Sequence, residues 1–372
     1  MSQDSRSRRP YIDLARGVAV LVMIQAHTFD SWTAPSSRYP GSPFSYFAIL
    51  GGFAAPLFLW LAGLGVGLSA VSRSRRAATS RAVVEAVCRR GLEIFVLAFL
   101  FRLQAFIVSP GSYLVTLFRV DILNVMGLAI VAAGLVWLLG SRPARLVTAY
   151  ACLAVGVAMV TPLMRAWDAI GGLPTWVQWY MRPSGDYTTF TLFPWAGFVF
   201  AGAGCGVLLG HGRDERTHRR LLGAFAVVGA AVLVLGFATA ARPSIYAQSS
   251  FWSSSPTYFA IRIGILMVGL AAIFVVATIS EARGLYWRAL ERLGRSSLFI
   301  YWIHVELVYG YATWPLRRKL PLWGSAIACI LFILLMYWVV VARDRVVAAW
   351  RARHQADGLG DSAAQGSVAA RS

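Results

Sequence analysis

The sequence has little charge, few acidic residues and almost no lysine. Only 14% of its 372 residues are charged, whereas 58% are hydrophobic and the mean hydropathy is +0.62. This composition excludes a soluble domain, a disordered chain and a coiled coil, because apolar stretches of about 20 residues recur along the whole length. Lysine occurs once, at Lys319, so the net charge of +19 comes from arginines set against 16 acidic residues.

Cysteine is also scarce, and its spacing carries no metal or disulfide pattern. The four residues are Cys88, Cys152, Cys205 and Cys329. Within apolar helices such isolated cysteines behave as small hydrophobic residues. The sequence also lacks a Walker loop, a dinucleotide-binding glycine motif, an H-E-x-x-H run and an EF-hand loop, so ATP, NAD and metal chemistry find no support and we expect no metal.

Long apolar runs dominate what is present. Arginine, proline, glycine and serine clusters separate ten of them, at 10–28, 46–71, 91–108, 118–139, 146–163, 187–210, 221–240, 256–280, 295–313 and 321–342. Asp13 and Arg16 interrupt the first run, which argues against a cleaved signal peptide. We therefore predict an all-α membrane protein, a polytopic helical bundle of about ten transmembrane helices.

The distribution of basic residues predicts the orientation of this bundle in the lipid bilayer. If the N-terminus is cytoplasmic, 24 basic residues fall on the cytoplasmic side and ten on the other, leaving Arg16 aside. The basic run 317–319 is the one local exception. We expect both termini in the cytoplasm of a bacterial inner (cell) membrane, with a segment 1–9, a membrane domain 10–342 and a disordered tail 343–372. Because the arginines lie mainly in short loops between apolar runs, where they orient the helices, we expect no nucleic-acid partner.

The loops predicted outside are rich in aromatic residues among prolines and glycines. Two interpretations stand: an aromatic belt at the membrane interface, or a platform for a bulky acceptor such as a sugar. The residues concerned are Trp32, Tyr39, Phe44, Tyr46, Trp167, Trp176, Trp179, Tyr180, Tyr187, Tyr246, Phe251 and Trp252.

The first apolar run carries three ionisable side chains, Asp13, Arg16 and His27. His27 is eleven positions after Arg16, about three helical turns, so both side chains leave the same face about 16 Å apart along the axis. Simple pairing at the interface would explain each residue alone. Together they favour function, because ionisable groups are costly in a membrane and histidine exchanges protons near neutral pH.

These residues also resemble a known family. The run 13–17 followed by His27 is similar to the first-helix motif of transmembrane acyltransferases, and three further stretches resemble the heparan-alpha-glucosaminide N-acetyltransferase-like family: 55–63, 193–198 and 293–304. The resemblance implies transfer of an acyl group, usually acetyl from acetyl-CoA, onto a hydroxyl or amine of a glycan or glycoconjugate. It implies His27 as base or nucleophile, with Asp13 and Arg16 positioning the donor or the helix.

Further polar residues are candidates to contact the substrate. In the ninth run Tyr301 and His304 share a helix face. Three interpretations stand: they line the substrate route, they orient His27, or they only form a hydrogen bond to a neighbouring helix. Asp121 and Asn124 share a face at the start of the fourth run, where Asp121 orients an imidazole or pairs with Arg119. Trp195, in the resembling stretch 193–198, is the last of these candidates.

Arginines in the predicted cytoplasmic loops are candidates to neutralise the phosphates of CoA, although they also serve as topology signals. They are Arg73, Arg75, Arg76, Arg213 and Arg216. A different class of function, a transporter or flippase for a small polar or lipid-linked substrate, would also use buried His, Arg and Asp. No internal repeat in the sequence supports it.

Overall fold

The computed structural model describes residues 9–76, 79–108, 113–212 and 214–369, and over these ranges the chain forms thirteen α-helices and no β-strand. The helices are α1 (Pro10–Trp32), α2 (Phe44–Gly51), α3 (Ala54–Arg75), α4 (Ser80–Val108), α5 (Ile122–Leu135), α6 (Pro143–Ala166), α7 (Thr175–Met181), α8 (Leu192–His211), α9 (Glu215–Ala240), α10 (Pro256–Ala282), α11 (Arg288–Arg295), α12 (Ser297–Tyr309) and α13 (Leu322–Ala369). The prediction of an all-α polytopic bundle is confirmed.

Nine of the helical segments in the described ranges are long and apolar enough to cross a membrane. Each contains most of one predicted run, although α4 begins at Ser80, well before the predicted 91. The last of the nine is apolar over Leu322–Ala352, and its backbone helix continues to Ala369 through the predicted tail. The division of the chain at 342 remains a prediction.

The ninth predicted run, 295–313, is shorter in the structure than predicted. Its apolar helix is α12, which begins at Ser297 and ends at Tyr309, and a separate short helix, α11, comes just before α12. A helix of 13 residues such as α12 is about 20 Å long, shorter than a hydrocarbon core of about 30 Å. The arginines of α11 (Arg288, Arg292 and Arg295) explain why this helix is separate from α12, since they favour a position at the membrane surface rather than in its apolar centre.

A close crossing of α11 with α1 places the start of α12. A Cβ atom at Gly17 would overlap the backbone of Leu290, and one at Gly294 would overlap the backbone of Asp13. Two glycines from separate motifs thus allow the two backbones to touch, as small residues do in membrane helix pairs. Because α11 is fixed there, α12 leaves the crossing alongside α1.

Contacts at the two ends of the bundle show which helix ends share a face. Backbone bonds from Ala34 N to Leu320 O (2.8 Å) and from Leu320 N to Trp32 O (2.9 Å) join the end of α1 to the start of α13. At the other end, Arg343 of α13 donates to Ser296 Oγ (2.8 Å), close to the α1–α11 crossing. We call the face where α1 begins the N-terminal face. The other is called the opposite face.

Candidate functional site

A cavity of about 1630 Å³ extends through the bundle between the two faces. Near the N-terminal face its walls carry Arg16, Arg73, Arg89 and Arg90, and near the opposite face Arg38, Arg119 and Arg317. Small-molecule pockets are commonly about 300–1,000 Å³. The cavity is therefore large enough for two substrates to meet inside the membrane domain.

His27 lines this cavity and is held by a second histidine. Its Nδ1 lies 2.8 Å from Nε2 of His304, and the two rings are stacked with centroids 5.0 Å apart and an interplanar angle of 5°. His304 is fully buried on α12 and is not part of the cavity wall. The crossing of α11 over α1 thus produces the pairing.

The hydrogen bonds of the pair determine where the protons lie. Nδ1 of His304 is 2.7 Å from the carbonyl oxygen of Ile300, which can only accept, so this nitrogen must carry a proton. In the neutral ring Nε2 of His304 is then the acceptor, and Nδ1 of His27 donates to it. The lone pair of neutral His27 is consequently on Nε2, the nitrogen that takes no part in the pair.

Asp121 organises a second polar cluster on the cavity wall. It accepts a hydrogen bond from Arg102 Nη2 at 2.6 Å and one from the Tyr301 hydroxyl at 3.3 Å. All three residues line the cavity. The predicted alternative, an ion pair with Arg119, is wrong: the partner is Arg102 on α4, nineteen residues earlier in the chain.

Asn124 has a structural position rather than one on the cavity wall. Its Oδ1 accepts the backbone N–H of Asp121 at 2.9 Å, and the Asp121 carboxylate accepts from Ile122 N, so the two side chains cap the start of α5. Asn124 is buried and absent from the lining. The common face of Asp121 and Asn124 therefore reflects reciprocal capping.

Asp13 and Arg16 form an ion pair of 3.4 Å at the other end of the cavity. Arg16 lines the cavity, as does His27, in agreement with their spacing on α1, whereas Asp13 does not. A Cβ atom at Gly65 of α3 would lie 3.2 Å from Nη2 of Arg16, so the guanidinium packs against this glycine. Asp13 thus orients an arginine that faces the cavity near the N-terminal face.

Only part of the predicted CoA-binding set borders the cavity. Arg73 does, but Arg75 and Arg76 do not, and Arg216 is exposed on α9. Arg213 lies outside the described residues. Two arginines of α4, Arg89 and Arg90, take their place on the cavity wall and both contact Glu93. They lie there because α4 begins at Ser80. The predicted run began at residue 91 and therefore did not include them.

The opposite half of the cavity contains Tyr309, which the sequence did not single out, beside residues that it did. Tyr309 packs edge-on against His27, with centroids 5.7 Å apart, and its hydroxyl donates to Asp30 Oδ2 at 2.9 Å. Burial lowers the pKa of the Arg119 guanidinium, and the neighbouring Arg102 charge adds to this effect. Trp195, a predicted substrate contact, lines the same half.

His218 is on a helix, although it falls between the predicted runs 187–210 and 221–240. It lies on α9, buried, with Nε2 2.7 Å from the hydroxyl oxygen of Tyr11, and it does not border the cavity. Among the residues that the structure describes, no group of three or more His, Cys, Asp or Glu side chains is arranged to hold a metal ion.

Comparison with protein families gives one match, over residues 8–246, more than half of the chain. The matching model is described as "Heparan-alpha-glucosaminide N-acetyltransferase, catalytic". The matched range includes His27, Asp121 and Trp195 but ends before His304. Comparison with curated proteins gives no match.

Proposed function

Because the chain belongs to the heparan-alpha-glucosaminide N-acetyltransferase catalytic family, we propose that it transfers an acetyl group from acetyl-CoA to a hydroxyl or amine of a glycan or glycoconjugate at the opposite face. The family supports a membrane acetyltransferase in general terms; the donor, the acceptor and their sides are the proposal. The observation that carries it is a cavity between the two faces, with His27 on its wall.

The His304 contact gives His27 the form that acyl transfer needs. As a general base, His27 Nε2 removes the proton of the acceptor while the acceptor oxygen or nitrogen attacks the thioester carbon. The carbon–sulfur bond then breaks, and the imidazolium returns the proton to the CoA thiolate. As a nucleophile, Nε2 attacks the thioester carbon and the thiolate leaves. The acceptor then attacks the acyl carbon, the bond from that carbon to Nε2 breaks, and the proton of the acceptor passes to the CoA thiolate. Both routes start from an unprotonated Nε2, which the bond from Nδ1 to His304 favours.

The charges near the N-terminal face suit a phosphorylated donor. Arg16, Arg73, Arg89 and Arg90 outnumber the two carboxylates on the same part of the wall, Glu85 and Glu93. Arginine forms forked hydrogen bonds to phosphate oxygens. If the CoA phosphates bind there, the thioester extends along α1 towards His27, about 16 Å from Arg16 at the helical rise.

A transporter or flippase would also use a cavity between two faces, and label transfer separates the two functions. We expect purified full-length protein in nanodiscs, incubated with acetyl-labelled CoA and a panel of cell-envelope glycans, to transfer label to an acceptor. His27→Ala should abolish transfer, while His211→Ala, at the end of α8 and outside the cavity lining, should not. Movement of a glycan across the membrane without label transfer would favour the carrier.

A further inference from the structure

Arg262 is a buried cation on α10 whose role acyl transfer does not explain. Its side chain lines the cavity, yet the residue is only 9% exposed. Its guanidinium lies over the ring of Tyr258 at 4.0 Å and near that of Trp195 at 5.7 Å. Among the described residues no carboxylate pairs with it, and its Nε makes no hydrogen bond.

Such an arrangement is costly in a membrane protein. A charge removed from water is stabilised by an opposite charge and by satisfied hydrogen bonds, and buried arginines in membrane helices therefore usually have a partner. Arg102, a partly buried arginine of the cavity wall, has one in Asp121. The aromatic rings beside Arg262 offset only part of the cost, because a cation–π contact does not replace a carboxylate.

Arg262 and His27 lie at a similar depth below the opposite face. Arg262 lies about 9 Å from the start of α10, and His27 lies about 8 Å from the end of α1, both measured from the opposite face by helical rise. Gly51 and Gly52 separate the two: a Cβ at Gly52 would be 3.7 Å from Arg262 Nη2, and one at Gly51 would be 2.9 Å from Cβ of Ala26, the neighbour of His27.

We infer that Arg262 and Trp195 form a subsite for an anionic group of the acceptor, such as a carboxylate, sulfate or phosphate ester on a sugar; this rests on the proposed function. An aromatic face beside a guanidinium suits a sugar ring that carries a negative charge. The donor is the weaker candidate, because the arginines available to the CoA phosphates lie at the N-terminal face.

The test uses full-length protein in detergent and measures thermal unfolding with three sugars: glucose, glucuronate and glucose 6-phosphate. A ligand that binds only the folded state raises Tm by mass action. Glucuronate, glucose 6-phosphate or both should raise Tm and glucose should not, and the shift should shrink with added salt. In Arg262→Met the Kd for the charged sugar should rise about ten- to a hundredfold, the loss expected for a charge-assisted hydrogen bond.

Two controls separate binding from folding. Arg242→Gln removes an exposed arginine beyond the end of α9 and should leave the sugar-dependent shift unchanged. Without ligand, Arg262→Met should unfold at the same Tm as the parent protein or higher, because an apolar side chain replaces a buried charge that has no carboxylate partner. A purely structural arginine would give a lower Tm and unchanged sugar binding.

The inference is overturned if neither charged sugar raises Tm in the parent, if glucose raises it equally, or if Arg262→Met retains the shift. Acetyl-CoA should raise Tm equally in the parent and in Arg262→Met. If label transfer fails while charged sugars still bind through Arg262, the acyltransferase proposal fails and the anionic subsite remains. If transfer to a neutral acceptor persists without any binding of charged sugars, only the subsite is wrong.

Discussion

Helix α1 carries a histidine contact near each end, and the two contacts differ in what surrounds them. Near its start Tyr11 bonds His218 at 2.7 Å, and further along His27 bonds His304 at 2.8 Å. Both contacts join α1 to a helix distant in sequence. Only the second borders the cavity. A short hydrogen bond that joins α1 to a distant helix is therefore common to both histidines. The proposal that His27 reacts rests on its position on the cavity wall, which His218 does not share.

The strongest test of this comparison is His27→Ala, which should abolish acyl transfer. His27→Gln keeps polarity without basicity and should fail as well, because general-base catalysis contributes about 10²–10⁴-fold and a covalent route would lose all activity. The measurement is label transfer from acetyl-CoA at matched protein abundance, with Tm as the check on folding. Transfer by folded His27→Ala within a few-fold of the parent would remove His27 from the mechanism.

The next effect is that of His304, which we expect to act through His27. His304→Ala leaves the Nδ1–H of His27 without its acceptor, so kcat should fall about ten- to a hundredfold while KM for acetyl-CoA changes little. In His304→Gln the amide oxygen can accept that hydrogen bond, and part of the activity should return. Equal losses in the two variants, or a change confined to Tm, would indicate packing alone.

A smaller effect is expected at Arg16, on the same helix but nearer the N-terminal face. Arg16→Lys keeps the charge and loses the planar fork, so KM for acetyl-CoA should rise several-fold with kcat nearly unchanged. Arg75→Lys is the matched control, because Arg75 does not line the cavity. A fall in kcat without a rise in KM would move Arg16 from donor binding to the reaction itself.

The sequence was sufficient for nine of the ten predicted spans and for the shared face of Arg16 and His27, because hydropathy and helical period are local properties. It was not sufficient for α11, which lies between two predicted runs and whose position depends on the crossing of Gly17 with Gly294. Nor could it show that Asp121 pairs with Arg102 rather than with Arg119. That choice depends on which helices pack together, and nothing in the local pattern records it.

The smallest effect on catalysis should come from His218, the other histidine contact of α1. His218→Phe keeps an aromatic ring against Phe274, whose centroid is 6.0 Å from the imidazole, but leaves the Tyr11 hydroxyl without its partner. We expect a lower Tm and a loss of about 1–3 kcal/mol in the free energy of unfolding, the cost of a buried polar group left unsatisfied.

Transfer per folded molecule should remain close to that of the parent, because neither Tyr11 nor His218 borders the cavity. The double variant Tyr11→Phe with His218→Phe removes both polar partners and should recover part of the lost stability, since no hydroxyl is then buried unpaired. If kcat of folded His218→Phe falls as far as that of His27→Gln, the comparison is contradicted. The contact near the start of α1 would then also take part in catalysis.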